Sequence, residues 1–118
     1  GYWQAWVNET NAWILPHLRV AQNRMTQLVR KHARASGPIR RALQQAAREL
    51  LLAQASDWPF ILRTGTSPGY ARQRIKDHLL RFHTLYDQLL HSRVDKFWLE
   101  QVEQRDNLFP HIDPSYWG

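Results

Sequence analysis

The chain has 118 residues and a net charge of +6; 43% of it is apolar and 22% charged, with six Trp and no Cys. This is one domain, or part of one, with enough chain to bury a core. It is too short for a β/α barrel, which needs roughly 200 residues or more, too apolar for disorder, and without thiols for disulfides, metal ligation or nucleophilic catalysis.

No apolar run approaches the ~18 residues of a membrane span. The opening Gly1-Tyr2-Trp3-Gln4-Ala5-Trp6 lacks the basic segment and apolar core of a signal peptide. The chain starts without Met and begins and ends on Gly, and it reads as residues 1–118 of a single helical domain excised from a longer protein. Through Asn8 it is aromatic without helical period, a connector from something upstream. Asn8 or Asn11 can cap the helix that follows, with Pro16 tolerated near its first turn. Leu18, Ala21, Met25, Leu28 and His32 recur at three and four, which is one helical face. Ser36-Gly37-Pro38 closes that helix and opens the next.

The second helix is expected from Pro38 to about Ala55. Ile39, Leu43, Ala46, Leu50 and Gln54 lie on one face, and Leu51 and Leu52 widen it. Ser56-Asp57-Trp58-Pro59-Phe60 is expected to end it, with Ser56 or Asp57 capping a further short turn. Arg63 to Gly69 reads as a loop. The third helix starts near Pro68 and carries Tyr70, Arg74 or Ile75, His78, Phe82, Leu85 and Leu89 on its face, with Leu79, Tyr86 and Leu90 alongside. A fourth, Val94 to about Arg105, places Val94, Phe97, Trp98 and Val102 together. Asp106 to Gly118 is expected as an irregular tail over the bundle. No strand pattern competes, so the fold class is all-α, an antiparallel bundle of about four helices with irregular aromatic terminal segments.

The charge is uneven. Arg19 to Arg48 holds eight Lys or Arg and no acid, whereas Asp95 to Asp113 holds five acids against Lys96 and Arg105. A basic helical module for nucleic acid has this composition, and so does a domain that pairs its basic half with its acidic tail; the second is preferred, and no nucleic-acid or membrane partner is expected. No glycine-rich phosphate loop, HExxH or GxSxG is present. Neither a cofactor nor a metal site is expected. His78 falls on the apolar stripe and reads as a hydrogen-bonded packing residue, and Glu49, on a basic helix, as an ion-pair partner. Asp57-Trp58-Pro59-Phe60 is the most unusual stretch. Its rings either plug the bundle end or form a stacking platform for the CH face of a sugar, with Asp57 accepting from hydroxyls and Arg63 and Tyr70 extending the rim.

Arg48 through Phe60, followed by Thr64-Gly65, Tyr70-Ala71 and Arg74, resembles the C-terminal helical domain of glycoside hydrolase family 57 enzymes, in the subgroup of 1,4-α-glucan branching enzymes; the same domain is often catalogued as one of unknown function. Tyr2-Trp3 through Trp6-Val7-Asn8, His78-Leu79 with Arg81-Phe82, and Arg105 through Asp113 carry the resemblance over nearly the whole chain. The resemblance implies a cytoplasmic enzyme whose catalytic nucleophile and general acid lie in an N-terminal distorted barrel of the same polypeptide, the partner of this domain. It implies a retaining transglycosylation of an α-1,4-glucan, with this domain helping to wall the cleft. It assigns Trp58 to that wall, Asp57 beside it more weakly, and Trp13 to a family tryptophan near the first helix; the second aromatic that the family places two residues on is Leu15 here. The alternative role is a purely structural domain that stabilises the barrel.

Overall fold

The computed structural model describes residues 14–62, 68–107 and 112–117, with side chains at 56–62 and 68–72 left aside. Among these residues every regular element is a helix. The first, α1, spans Ile14–Lys31 and buries Ile14, Leu18, Ala21, Met25, Leu28 and Val29, the three-and-four spacing of an amphipathic face. Pro16 sits in its first turn, where a backbone N–H has no intrahelical partner to lose. The helix ends at Lys31, five residues ahead of the expected Ser36 stop, in a turn closed by Ala35 N–H to His32 O at 3.0 Å. His32 Nε2 donates to the Leu89 carbonyl at 2.8 Å, which ties this end of α1 to the end of the third helix.

α2 runs from Gly37 to Leu62. Gly37 holds φ +64°, a left-handed conformation that costs an L-residue about 1 kcal/mol or more. Ala42, Leu43, Ala46, Ala47, Leu50 and Ala53 are buried, and the small side chains let neighbouring helices approach closely. The expected stop at Ser56 to Phe60 is corrected: the helix continues through Asp57, Trp58 and Pro59 to Leu62. Proline's fixed φ is itself helical, but at Pro59 the helix forgoes the bond to the Ala55 carbonyl and the ring crowds that carbonyl. Ala55 is exposed, so water can take that carbonyl.

α3, Pro68–Leu90, buries Ile75, His78, Leu79, Phe82, Leu85 and Leu89, with Arg74 exposed. It ends in a Schellman arrangement: Arg93 N–H reaches the Gln88 carbonyl at 2.8 Å and Ser92 N–H the Leu89 carbonyl at 3.1 Å. Ser92 occupies the left-handed position at φ 52°. Ser92→Gly is therefore expected to stabilise the domain by about 0.5–1 kcal/mol, read as a raised urea midpoint with unchanged slope.

α4 covers Lys96–Arg105, with Asp95 as N-cap accepting from Trp98 N–H at 3.1 Å. Its buried face is Leu99 and Val102, with Val94 and Trp98 at the margin. Phe97, expected on that face, is 72% exposed. A face centred on Leu99 and Val102 leaves Phe97 roughly 200° away from Leu99. The tail is not wholly irregular: Pro114–Trp117 forms a 3-10 turn, with Pro114 buried and Ile112 and Trp117 against the core.

Two sets of side-chain bonds give the helix directions. Arg24 meets His83 and Gln27 meets Tyr86, so α1 and α3 run parallel. Glu49 meets His78, and five residues between Leu62 and Pro68 are too few to return along a 26-residue helix, so α2 runs antiparallel to α3. The expected antiparallel bundle is the one observed.

Candidate functional site

The helix directions collect one end of the bundle. The spacing that sets Gln27 against Tyr86 puts Ile14, at the start of α1, level with Gln73 near the start of α3. The antiparallel pairing of Glu49 with His78 puts the last two turns of α2 at that same end. Asp57 and Trp58 belong to those turns, within helix rather than on a loop, and Tyr70 lies in the first turn of α3 at the same end. Trp13 precedes Ile14 in sequence and, like Arg63, lies outside the described residues. At the level of the backbone, Asp57, Trp58 and Tyr70 thus lie at one end of the bundle.

One turn and more along α2, a buried polar network lies where the sequence showed only separate residues. Glu49 is fully buried and His78 nearly so. His78 Nδ1 donates to Glu49 Oε1 at 2.9 Å, and Gln45 Nε2 donates to Glu49 Oε2 at 2.8 Å and to the Asp106 carbonyl at 3.0 Å. Arg48 donates to Gln45 Oε1 at 2.8 Å, and Arg81 donates to Asp106 Oδ2 at 3.1 Å. Because His78 Nδ1 donates to a carboxylate, its 3.5 Å approach to Arg81 is proximity of two donors rather than a bond. Burial is the main cause that raises the Glu49 carboxyl above its ordinary value, with Asp106 adding to it and His78 and Gln45 opposing it. Burial likewise lowers Arg48.

Glu49, His78 and Asp106 each offer one ligand atom, all within 4.8 Å of one another. They do not fit a metal. Arg81 stands 3.1 Å from the Asp106 carboxylate and 4.0 Å from that of Glu49, so a dication would meet a guanidinium and two already satisfied carboxylates. The arrangement is a charge-compensated clamp that fastens Asp106, where α4 ends, onto α2 and α3. His78 is a hydrogen-bonded packing residue, as expected, with Glu49 as its partner, and Glu49 finds its ion-pair partner in Arg81, 4.0 Å away on α3. A His on an apolar stripe and a Glu followed by Leu50 were the signals; their pairing depends on the register of two helices.

The basic half and acidic tail also meet. Arg41 makes a two-pronged pair with Glu103, and Arg40 lies 3.8 Å from Asp113. The hydrogen bonds that Arg41 donates to Glu103 raise its guanidinium, and the Ser115 backbone amide lowers Asp113. Part of the cationic stretch is therefore internal pairing, as the charge asymmetry suggested.

Between α1 and α3, Arg24 Nη1 donates to His83 Nδ1 at 3.1 Å and stacks 4.5 Å over the Tyr86 ring, whose hydroxyl donates to Gln27 at 3.0 Å. A histidine that accepts from arginine is neutral. Burial holds the His83 imidazole below its ordinary value, with the charges of Arg24 and His17 adding to the effect. Below about pH 6.5 the unfolded chain binds a proton at this position that the folded chain does not, so stability falls with acidification. Thermal midpoints measured from pH 7.5 to 5 are expected to drop in the natural sequence and to drop less in His83→Gln.

The profile of the family described as 1,4-alpha-glucan branching enzyme, C-terminal, matches residues 17–117. The 1,4-alpha-glucan branching enzyme of Thermococcus kodakarensis is 37% identical over 108 residues, which cover 88% of this chain and 16% of that protein. Among solved structures, a novel alpha-amylase from Thermotoga maritima superposes with a TM-score of 0.81 at 44% identity, covering 93% of this chain and 21% of that one. The GH57-type branching enzyme of the hyperthermophilic archaeon Pyrococcus horikoshii superposes with a TM-score of 0.81 at 35% identity, covering 95% and 22%. The chain thus spans between 16% and 22% of the length of these relatives.

Proposed function

Since this chain belongs to the family of C-terminal domains of 1,4-alpha-glucan branching enzymes, we propose that it is the accessory, non-catalytic domain of a polypeptide that remodels an α-1,4-glucan, and that its Trp58 end walls the glucan cleft. The preceding part of that polypeptide is a catalytic barrel that cleaves an α-1,4 bond with retention, holds the glucosyl unit covalently and passes it to a 6-hydroxyl. Such chemistry runs on two carboxylates and needs no cofactor. A chain without Cys suits a cytoplasmic enzyme acting on a stored glucan. Among the described residues no helix is long and apolar enough to cross a membrane.

The observation that carries the reading is the continuation of α2 through Asp57 and Trp58 to Leu62. A helix fixes its side chains more firmly than a loop, and an indole held rigidly loses little entropy when a sugar ring stacks on it. Trp58 is assigned the stacking surface, Asp57 a hydrogen-bond acceptor for sugar hydroxyls, and Trp13 a second aromatic at the same end. A second reading keeps the cleft but makes water the acceptor. It is favoured by the 44% identity to a structure described as an alpha-amylase.

Hydrogen exchange in the complete polypeptide tests the cleft. Adding a maltooligosaccharide is expected to slow exchange about fivefold or more over residues 55–62, where binding must suppress local opening, and to leave the turn at 32–36 unchanged. No slowing at 55–62, with glucan bound elsewhere in the polypeptide, would leave the domain a purely structural support.

A further inference from the structure

The 3-10 turn at Pro114–Trp117 carries an exposed ring that the cleft does not use. The turn is held on the bundle at three points. Pro114 is buried, Gln44 Nε2 donates to the Ile112 carbonyl at 3.3 Å, and Arg40 lies 3.8 Å from the Asp113 carboxylate. Trp117 packs against the core, and the Tyr116 ring meets it nearly at right angles, with 5.1 Å between centres and 82° between planes. Tyr116 is nevertheless 84% exposed, more than any other large hydrophobic among the described residues. Ser115 N–H donates to Asp113 Oδ1 at 2.9 Å and Tyr116 N–H to the Asp113 carbonyl at 3.4 Å, so carboxylate and ring belong to one hydrogen-bonded turn. The Asp113 carboxylate is itself 70% exposed, and the Arg40 side chain 37%.

We propose that Tyr116, braced by Trp117 and flanked by Asp113 and Arg40, is a surface-binding site for an α-1,4-glucan, separate from the cleft at the Trp58 end. The proposal rests on the reading above that the polypeptide works on such a glucan. An exposed phenol ring offers an apolar face to the CH face of a sugar. Sugar hydroxyls both donate and accept, and the pair of Asp113 and Arg40 supplies an acceptor and donors beside the ring. The turn is pinned before anything binds, so stacking on it costs little further ordering. The same features weigh against other occupants. A stable protein interface takes about 800 Å² from each partner, whereas Tyr116 is the one large apolar side chain exposed by the described residues of this tail. Nucleic-acid bases also stack on rings, but the Asp113 carboxylate repels the phosphates that would accompany them. The location gives the site a use. Arg40 stands eighteen residues ahead of Trp58 on α2, about 27 Å along the helix, so the turn marks the opposite end of the bundle. One long glucan can reach both ends and maltose cannot. A polymer held at Tyr116 stays concentrated near the cleft without occupying it.

The test uses the complete polypeptide. Hydroxyl-radical oxidation of Tyr116 is followed residue by residue, with Phe97, exposed on α4, as the control. Added amylose is expected to slow oxidation of Tyr116 about threefold or more and to leave Phe97 unchanged. In native gels containing glycogen, Tyr116→Ala is expected to raise the apparent Kd about threefold or more, whereas Tyr116→Phe, which keeps the ring, stays close to the natural sequence. A Tyr116 that oxidises as fast with amylose as without overturns the proposal, and so does an unchanged Kd in Tyr116→Ala. A Tyr116 already shielded before glucan is added also overturns it, because the ring is then covered by another part of the polypeptide or, where shielding grows with protein concentration, by a second copy. Hydrogen exchange over residues 55–62 separates this site from the cleft. Slowing there with Tyr116 still open rejects the surface site alone. A shielded Tyr116 with no slowing at 55–62 rejects the cleft and keeps the surface site.

Discussion

Glu49→Ala lowers the stability of the domain by about 4 kcal/mol, a large share of the 5–15 kcal/mol typical of a whole domain. The carboxylate has no access to water and accepts from both His78 and Gln45. Removing it leaves the His78 Nδ1 proton without an acceptor inside the bundle. It also leaves the guanidinium of Arg81 balanced by Asp106 alone. An unpaired buried donor loses its hydration without recompense, which is why truncating one partner is more damaging than replacing both. Glu49→Gln keeps an oxygen facing His78 and should lose about half as much. Glu49→Leu combined with His78→Leu should recover most of the loss, since two apolar side chains of similar volume need no partners. Urea unfolding measures all three. A loss under 1 kcal/mol for Glu49→Ala would mean that the network is hydrated and does not clamp Asp106 to the bundle.

The same network shows where sequence reasoning reaches and where it stops. The core faces of α1 and α3 follow from periodicity because each is a property of one helix. The buried positions Leu18, Ala21, Met25 and Leu28, and His78, Phe82, Leu85 and Leu89, fall where the spacing puts them. Glu49 with His78, and Arg24 with His83, are partners across 29 and 59 residues. Their residue types are visible in the chain, but their meeting depends on how two helices slide past each other, which no local rule supplies. The end of α2 was misplaced for a different reason. Pro59 is a local stop signal of real strength, yet the helix runs through it, and the carbonyl that loses its donor belongs to an exposed residue, Ala55. Phe97 falls off the expected face because a ten-residue helix admits more than one apolar face. Its phase is set by the Asp95 cap and by what Leu99 and Val102 can reach. Of the residues proposed for the wall, Asp57 and Trp58 are expected from the sequence at a helix break and stand within helix, and Trp13 lies outside the described residues. The role proposed for Asp57 and Trp58 rests on the family to which the chain belongs together with the end of the bundle to which α2 brings them.

The second large effect is on chemistry. In the complete polypeptide, Trp58→Ala is expected to lower the ratio of branch formation to hydrolysis by about 5- to 30-fold, the equivalent of losing roughly 1–2 kcal/mol of ring stacking against the acceptor glucan. In the proposed reaction the covalent glucosyl intermediate forms and breaks on carboxylates outside this domain, so the variant is expected still to cleave α-1,4 bonds. What changes is the competition between water and a sugar 6-hydroxyl for that intermediate. Binding energy supplied by Trp58 favours the sugar only if it is present as the acceptor attacks. Trp58→Phe, which keeps a flat ring, should restore much of the ratio, whereas a substitution acting only through folding would not distinguish Phe from Ala in this way.

The most direct test of the account is that ratio, measured on amylose for the natural polypeptide, Trp58→Ala and Trp58→Phe side by side, with α-1,6 branch points and new reducing ends counted in the same reactions. A lowered ratio in Trp58→Ala, substantially recovered in Trp58→Phe, is the predicted result. An unchanged ratio in a normally folded Trp58→Ala polypeptide would contradict the account, and would leave this domain holding the enzyme together without shaping where its glucan goes.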